Sequence, residues 1–220
     1  MASEETSAEV DVSSSAQRLN SASPQEQLPT EWIAFDKQLK LLQAYAHASD
    51  SGQKPVNNED VGRVVEMNPS TVSLANAFFV KLGFLNRSGR EYLPSKEVIA
   101  YANACQWSPD DAAHKLRPLI EGSWFWQAAK PKLLMRAVTR SEVLSDLAQR
   151  AMVGPEYRAQ LKMLVNYLIA SGLVRQDGDS FTIVREREID AAIFTPPVDV
   201  PERRVKEQVL TKDCNDDNIH

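Results

Sequence analysis

The sequence predicts a mainly α-helical protein with small β-hairpins, arranged as two tandem copies of one helix–helix–helix–hairpin unit joined by a helical connector. Three observations lead there. The chain matches itself after a shift of 89 residues, which lays residues 72–94 over 161–183 without a gap. Each copy then runs through the same chemistry: an amphipathic stretch, a Gly, two apolar residues, a polar turn with a second Gly, and an aromatic. Upstream of each copy lie further stretches with helical periodicity and capping residues.

The shift sets Gly83 on Gly172 and Gly89 on Gly178. Phe78-Phe79-Val80 falls on Tyr167-Leu168-Ile169, Phe84-Leu85 on Leu173-Val174, and Tyr92 on Phe181. A helix that ends on a left-handed Gly closes its last turn without a Cβ clash, and the short apolar–polar–apolar stretch after it reads as a strand–turn–strand hairpin.

The first unit is expected over 31–96. Its first helix, 33–48, carries Phe35, Leu39, Leu42, Tyr45 and Ala46 near a 3.6-residue period and stops at the polar cluster 49–52. Asn57 or Asn58 caps a short second helix over 59–65, with acids in its first turn. Asn68-Pro69 caps and starts the third, since Pro at the first helical position gives up an amide that has no helical partner. The hairpin pairs 84–86 with 91–93 across the turn 87–90.

A connector, 97–129, follows. It holds the end of a helix over 95–103, and Ser108-Pro109-Asp110-Asp111 caps another over 112–122. The aromatics Trp124, Phe125 and Trp126 fit an interdomain core. The second unit, 130–190, has helices at 130–138, 141–151 and 155–171, with Gly154-Pro155 in the role of Asn68-Pro69, and a hairpin pairing 173–175 with 180–183. Residues 1–30 and 191–220 are rich in Ser, Glu, Gln, Pro and Asp and read as disordered tails.

Charge follows this division. The net charge is −5, but residues 1–30 hold five acids against one Arg, 191–220 hold six acids against four bases, and 31–190 hold nineteen acids against twenty bases. The folded part is therefore near neutral, and the acidity sits in the tails. No apolar run approaches the roughly 20 residues that span a bilayer, and the acidic, Ser-rich start lacks the features of a signal peptide, so a cytoplasmic protein without membrane contact is expected. Cys105 and Cys214 lie far apart and suggest free thiols. His47, His114 and His220 have no neighbours with metal or catalytic spacing, and Asp110-Asp111 reads as a cap because adjacent helical residues diverge by roughly 100°. No enzyme, cofactor, metal or small-molecule site is expected.

The stretch Pro69-Ser70-Thr71-Val72-Ser73, with Phe79 six residues after Ser73, Gly83 ten after it, and then Phe84-Leu85 and the hairpin, resembles the MarR-like winged helix-turn-helix superfamily. The resemblance is good over 34–94 and looser over 130–184. It implies two tandem winged-helix domains, each hairpin being a wing. It also implies that the third helix enters the DNA major groove while the wing meets the backbone or minor groove. On this sequence Ser70, Thr71 and Ser73 would then face base edges or phosphates, and Lys81, Arg87, Arg90 and Lys96 would contact phosphates. From Pro69 to Lys96 there are four basic residues and one acid, Glu91.

Leu74 and Phe78, and their counterparts Met163 and Tyr167, form an apolar pair at i, i+4 spacing that suits a protein groove. The alternative is that Leu74 and Phe78 pack on the segment around Trp32 or on the other unit. Asp177 and Asp179 in the second wing would repel phosphate, which assigns the second domain to self-association or partner contact. Two functions follow. One is a DNA-binding transcriptional regulator, a homodimer, with domain 1 as the reader of double-stranded DNA. The other is an acidic interaction subunit resembling the kleisin-associated subunits of bacterial chromosome-condensation complexes, where the fold binds protein.

Overall fold

The computed structural model describes residues 23–184. The C-terminal tail, most of the N-terminal one, Cys214 and His220 lie outside the described residues. The described chain is mainly helical with two small antiparallel sheets.

The first repeat comprises α1 (Phe35–Ala48), α2 (Asn58–Val65), α3 (Pro69–Lys81), β1 (Leu85–Ser88) and β2 (Glu91–Pro94). Asn57 caps α2 by accepting from the amides of Glu59 and Asp60, at 2.8 and 3.0 Å. Asn68 caps α3 by accepting from Ser70 N at 3.0 Å, so two amides without helical partners are satisfied at one start and one at the other. The second repeat comprises α7 (Trp124–Met135), β3 (Val138–Thr139), α8 (Arg140–Ala151), a 3-10 turn (Pro155–Tyr157), α9 (Arg158–Ala170), β4 (Val174–Asp177) and β5 (Ser180–Ile183). Thr139 and Glu142 form a reciprocal capping box at the start of α8.

The 89-residue shift carries α3 onto α9, β1 onto β4 and β2 onto β5, end for end. At the end of each third helix the backbone turns into the hairpin at a left-handed glycine, with φ +75° at Gly83 and +69° at Gly172. Each repeat also brings in a third extended segment that the sequence pattern did not reveal. Val56 exchanges backbone hydrogen bonds of 2.9 and 2.8 Å with Tyr92, and Val138 pairs with Phe181, the residue equivalent to Tyr92.

Two expected elements differ. The first helix of the second repeat starts at Trp124 rather than 130, because Ser123 caps it by accepting from Trp126 N (3.2 Å) and its Phe125, Trp126, Ala129 and Leu133 are buried on one face. The aromatic cluster thus lies in the helix, and Pro131 is tolerated inside it. The helix expected over 112–122 is broken into α5 (Pro109–Ala112), a 3-10 turn (Ala113–Leu116) and α6 (Arg117–Glu121). Pro118 has no amide to continue a helix from the preceding turn and instead sits in the first turn of a new one. With α4 (Lys96–Ala104), capped by Ser95, these segments make the connector.

The two repeats share one contiguous hydrophobic core instead of packing as two separate units. At its middle, α3 meets α9 through equivalent positions: Phe78 and Tyr167 lie with ring centroids 5.5 Å apart. Tyr167 also packs edge-on against Phe35 of α1 (4.9 Å) and beside Phe84 (6.0 Å). Contact between equivalent residues is the mark of an isologous interface, here within one chain. The connector closes over both helix-to-hairpin turns. Leu119 lies against Gly83, His114 lies against Gly172, and Arg117 Nη1 donates to Gly172 O at 3.4 Å.

Candidate nucleic-acid interface

α3 is two-faced. Val72, Ala75, Asn76, Phe78 and Phe79 are buried, while Ser70, Ser73, Leu74, Ala77 and Lys81 are exposed, a stripe at i, i+3, i+4, i+7 and i+11 along one side. Thr71 is half-buried at the edge of that stripe. The inner face is pinned by a polar network as well as by packing. Tyr45 Oη is 2.7 Å from Asn76 Oδ1, and Asn76 Nδ2 donates to Asn58 Oδ1 at 2.7 Å, which ties α3 to α1 and α2 and fixes which side faces outward.

The outward serines are used locally. Ser70 Oγ donates to Asn68 Oδ1 at 2.8 Å, and Ser73 Oγ donates to Ser70 O at 2.7 Å. Their hydroxyl protons are therefore committed, and what they offer to solvent is the acceptor side of each oxygen. The stripe is small and weakly polar, with Leu74, 48 % exposed, at its centre.

Cations flank it. Lys81 is exposed at the end of α3, and Arg87 and Arg90 are exposed at the hairpin turn. Arg87 Nε donates to Gly89 O at 3.0 Å, which orients the guanidinium. Among the described residues none of these three forms an ion pair, whereas Arg63 on α2 is held by Glu59 (3.0 Å) and Asp60 (3.4 Å). Lys96, at the start of α4, is exposed and lies 3.8 Å from Glu97. The three serine and threonine positions thus sit on or beside one helix face, and three of the four basic positions form no ion pair among the described residues.

Three of the four residues expected to meet a partner are engaged inside the chain. Phe78 and Tyr167 are 1 % and 0 % exposed, and Met163 is buried with its Sδ 3.1 Å from Gln38 Nε2. They form the junction between the repeats, one of the alternatives the sequence left open. Gln38 is the polar centre of that junction. Its Nε2 also donates to Ile33 O at 2.8 Å, and its Oε1 accepts from Tyr167 Oη at 2.9 Å. Only Leu74 remains available to another molecule.

On α9 the exposed positions include Arg158 and Lys162, which the sequence reading passed over; the 89-residue shift places them over Pro69 and Ser73 of α3. Arg175 on β4 is exposed as well, next to the exposed Asp177 and Asp179. Elsewhere, Lys40, Gln43, His47, Val64 and Cys105 line a half-open groove of about 520 Å3 between α1, α2 and α4. Burial pushes the Tyr101 hydroxyl beside Cys105 and Gln43 well above its ordinary pKa. Among the described residues no group of three or more His, Cys, Asp or Glu side chains gathers to hold a metal ion, and no helix is long and apolar enough to cross a membrane. No protein-family model matches the chain, and no curated protein matches it significantly.

Proposed function

We propose that this protein is a tandem winged-helix, DNA-binding transcriptional regulator that reads duplex DNA through its first repeat, with the second repeat as its built-in partner. One observation carries the reading. The outer stripe of α3 and the adjoining Arg87 and Arg90 stay uncovered, although the opposite face of the same helix is committed to joining the repeats. The major groove of B-DNA, roughly 12 Å wide, admits an α-helix. A stripe of Ser70, Ser73, Leu74 and Ala77 lets a helix approach base edges closely, and Leu74 and Ala77 give apolar contact of the kind thymine methyl groups accept. The hairpin follows directly and supplies Arg87 and Arg90 to the backbone, with Lys81 and Lys96 on either side of it in sequence. In the second repeat the hairpin turn is acidic at Asp177 and Asp179, which favours the first repeat as the reader.

The test is binding to random-sequence duplex DNA, followed by fluorescence anisotropy across a salt series. Four phosphate contacts give a slope of log K against log salt of roughly −3.6, and Arg87→Ala/Arg90→Ala reduces its magnitude by about two. Absence of binding at low salt, or a slope that the double substitution leaves alone, overturns the proposal.

The protein-interaction reading retains one observation in its favour, the exposed Leu74 at the centre of the stripe. A complex with a protein subunit that Leu74→Asp abolishes, in a protein indifferent to DNA, would replace the DNA reading with it.

A further inference from the structure

The described chain begins beside the face just assigned to DNA. Gln25 N donates to Ala151 O at 2.9 Å and Glu26 pairs with Arg150 at 3.6 Å, both at the end of α8. Leu28, Pro29 and Ile33 are then buried, and Gln38 Nε2 reaches back to Thr30 O at 3.1 Å. This strap crosses from the second repeat to the first. On the way Glu26 lines a cavity of about 400 Å3 together with Lys81, Leu82, Gly122, Ser123 and Trp124. Ser23, the first described residue, thus lies two residues before the anchor at the end of α8 and three before Glu26, which shares a cavity with Lys81 and Leu82 at the end of α3.

That preceding stretch, residues 1–22, carries Glu4, Glu5, Glu9 and Asp11 against the single base Arg18. The face beside its tether carries Lys81, Arg87 and Arg90, none of them ion-paired among the described residues. We propose that residues 1–22 dock in cis on the outer stripe of α3 and its hairpin arginines, and so compete with DNA for that face. The docking stands on the tether point and the charges; the competition rests on the DNA reading.

Reach does not limit it. Asp11 lies twelve residues before Ser23, which allows roughly 40 Å of extended chain. A four-residue strand places the hairpin turn only about 13 Å beyond the end of α3. A tether of this length holds the acids at an effective concentration on the order of millimolar, enough for a few exposed ion pairs to populate a docked state. Screening over about 10 Å at 0.1 M salt makes that state salt-labile. Arg150 is held by Glu26, Lys132 by Asp146 and Arg136 by Glu142, whereas Arg158, Lys162 and Arg175 of the second repeat are exposed and without an ion pair among the described residues, and are the competing sites for the same acids.

Zero-length carbodiimide cross-linking of the full chain at low salt tests the docking. The expected products join the 4–11 stretch to Lys81 or Lys96, and they disappear in the E4Q/E5Q/E9Q/D11N variant. No such product, or cross-links to Lys130 or Lys162 alone, overturns the docking. The same variant tests the competition by anisotropy, with DNA affinity expected to rise about three- to tenfold at low salt. Unchanged affinity in a protein that does bind DNA overturns the competition. If neither protein binds DNA, the DNA reading and the competition fail together, and the cross-links decide the docking alone.

Discussion

Removing one oxygen atom tests whether the two repeats stand or fall together. In Tyr167→Phe the ring keeps its packing against Phe35, Phe78 and Phe84. What is lost is the hydrogen bond that Tyr167 Oη donates to Gln38 Oε1 at 2.9 Å. Gln38 has no exposed surface, and its amide group is held in place by bonds to Ile33 O and Thr30 O. It can neither turn to water nor find a new donor. A buried acceptor left without its partner costs about 1–3 kcal/mol, whereas Tyr167→Ala, which also empties the ring site, costs about 3–5 kcal/mol. With a urea dependence of about 2 kcal/mol/M, the Phe variant moves the unfolding midpoint down by roughly 0.5–1.5 M. The assay is urea unfolding followed by far-UV circular dichroism and by amide exchange in α1 and α8 separately. Because Gln38 belongs to the first repeat and Tyr167 to the second, both helices lose protection by the same amount. A transition that splits in two, or exchange in α1 that ignores the substitution, refutes the shared core.

The inner and outer faces of α3 predict opposite outcomes for two similar changes. Leu74→Asp alters stability by about 0.5 kcal/mol or less because the side chain already meets solvent, while Phe78→Asp buries an unpaired carboxylate in the junction and leaves little folded protein by circular dichroism. Gly83→Ala and Gly172→Ala both force a Cβ onto a left-handed backbone, at about 1 kcal/mol or more each. The second is the worse, since its Cβ would lie 2.8 Å from His114 Nε2 while that at Gly83 meets only Leu119 at 3.7 Å; thermal melts rank the two, and the reverse order would count against the connector as a rigid lid over the Gly172 turn. Burial raises the phenol pKa of Tyr45, Tyr101 and Tyr167 well above the ordinary value of 10.0. Because the folded state holds these protons more tightly, their contribution is complete below about pH 10 and is lost as pH rises beyond it. The melting temperature therefore falls progressively as pH rises above about 10, and Tyr167→Phe makes that fall shallower.

The parts legible in the sequence are those that a local rule enforces. Gly83 and Gly172 announce the end of each third helix because no other residue adopts that backbone so readily, and Asn68-Pro69 announces its start. The parts that escaped have weak or ambiguous local signals. Val56 and Val138 each add so short a strand that no alternation betrays them. The start of α7 hides behind Pro131, which looks like a helix start and is in fact a tolerated interior residue. Phe78 and Tyr167 were legible as an apolar stripe but not as to its partner, since helical spacing is the same whether the matching surface belongs to another chain or to the other half of this one. Gln38 left no trace at all. Its counterpart under the 89-residue shift, Gln127, is exposed and donates to Glu121 O, so only the fold separates the two glutamines.

An isologous contact inside one chain changes what a DNA site should look like. A homodimer of identical readers imposes two-fold symmetry on its operator. Here the contact between α3 and α9 is made once, and the halves it joins have diverged on their outer surfaces. At equivalent positions the stripe has Ser70 and Ser73 where α9 has Ala159 and Lys162, and where the first hairpin carries Ser88 and Arg90 the second carries Asp177 and Asp179. If the protein reads DNA as proposed, the second half would not repeat the contacts of the first, and a single chain would engage one asymmetric half-site. Selection of bound sequences from a random duplex pool should therefore return a short consensus without a palindrome, bound by one chain per duplex in analytical ultracentrifugation. A palindromic consensus with half-sites roughly 10 base pairs apart would mean that two chains bind side by side through a surface other than the α3–α9 junction. In that case the internal pairing of repeats could not be what sets the symmetry of recognition.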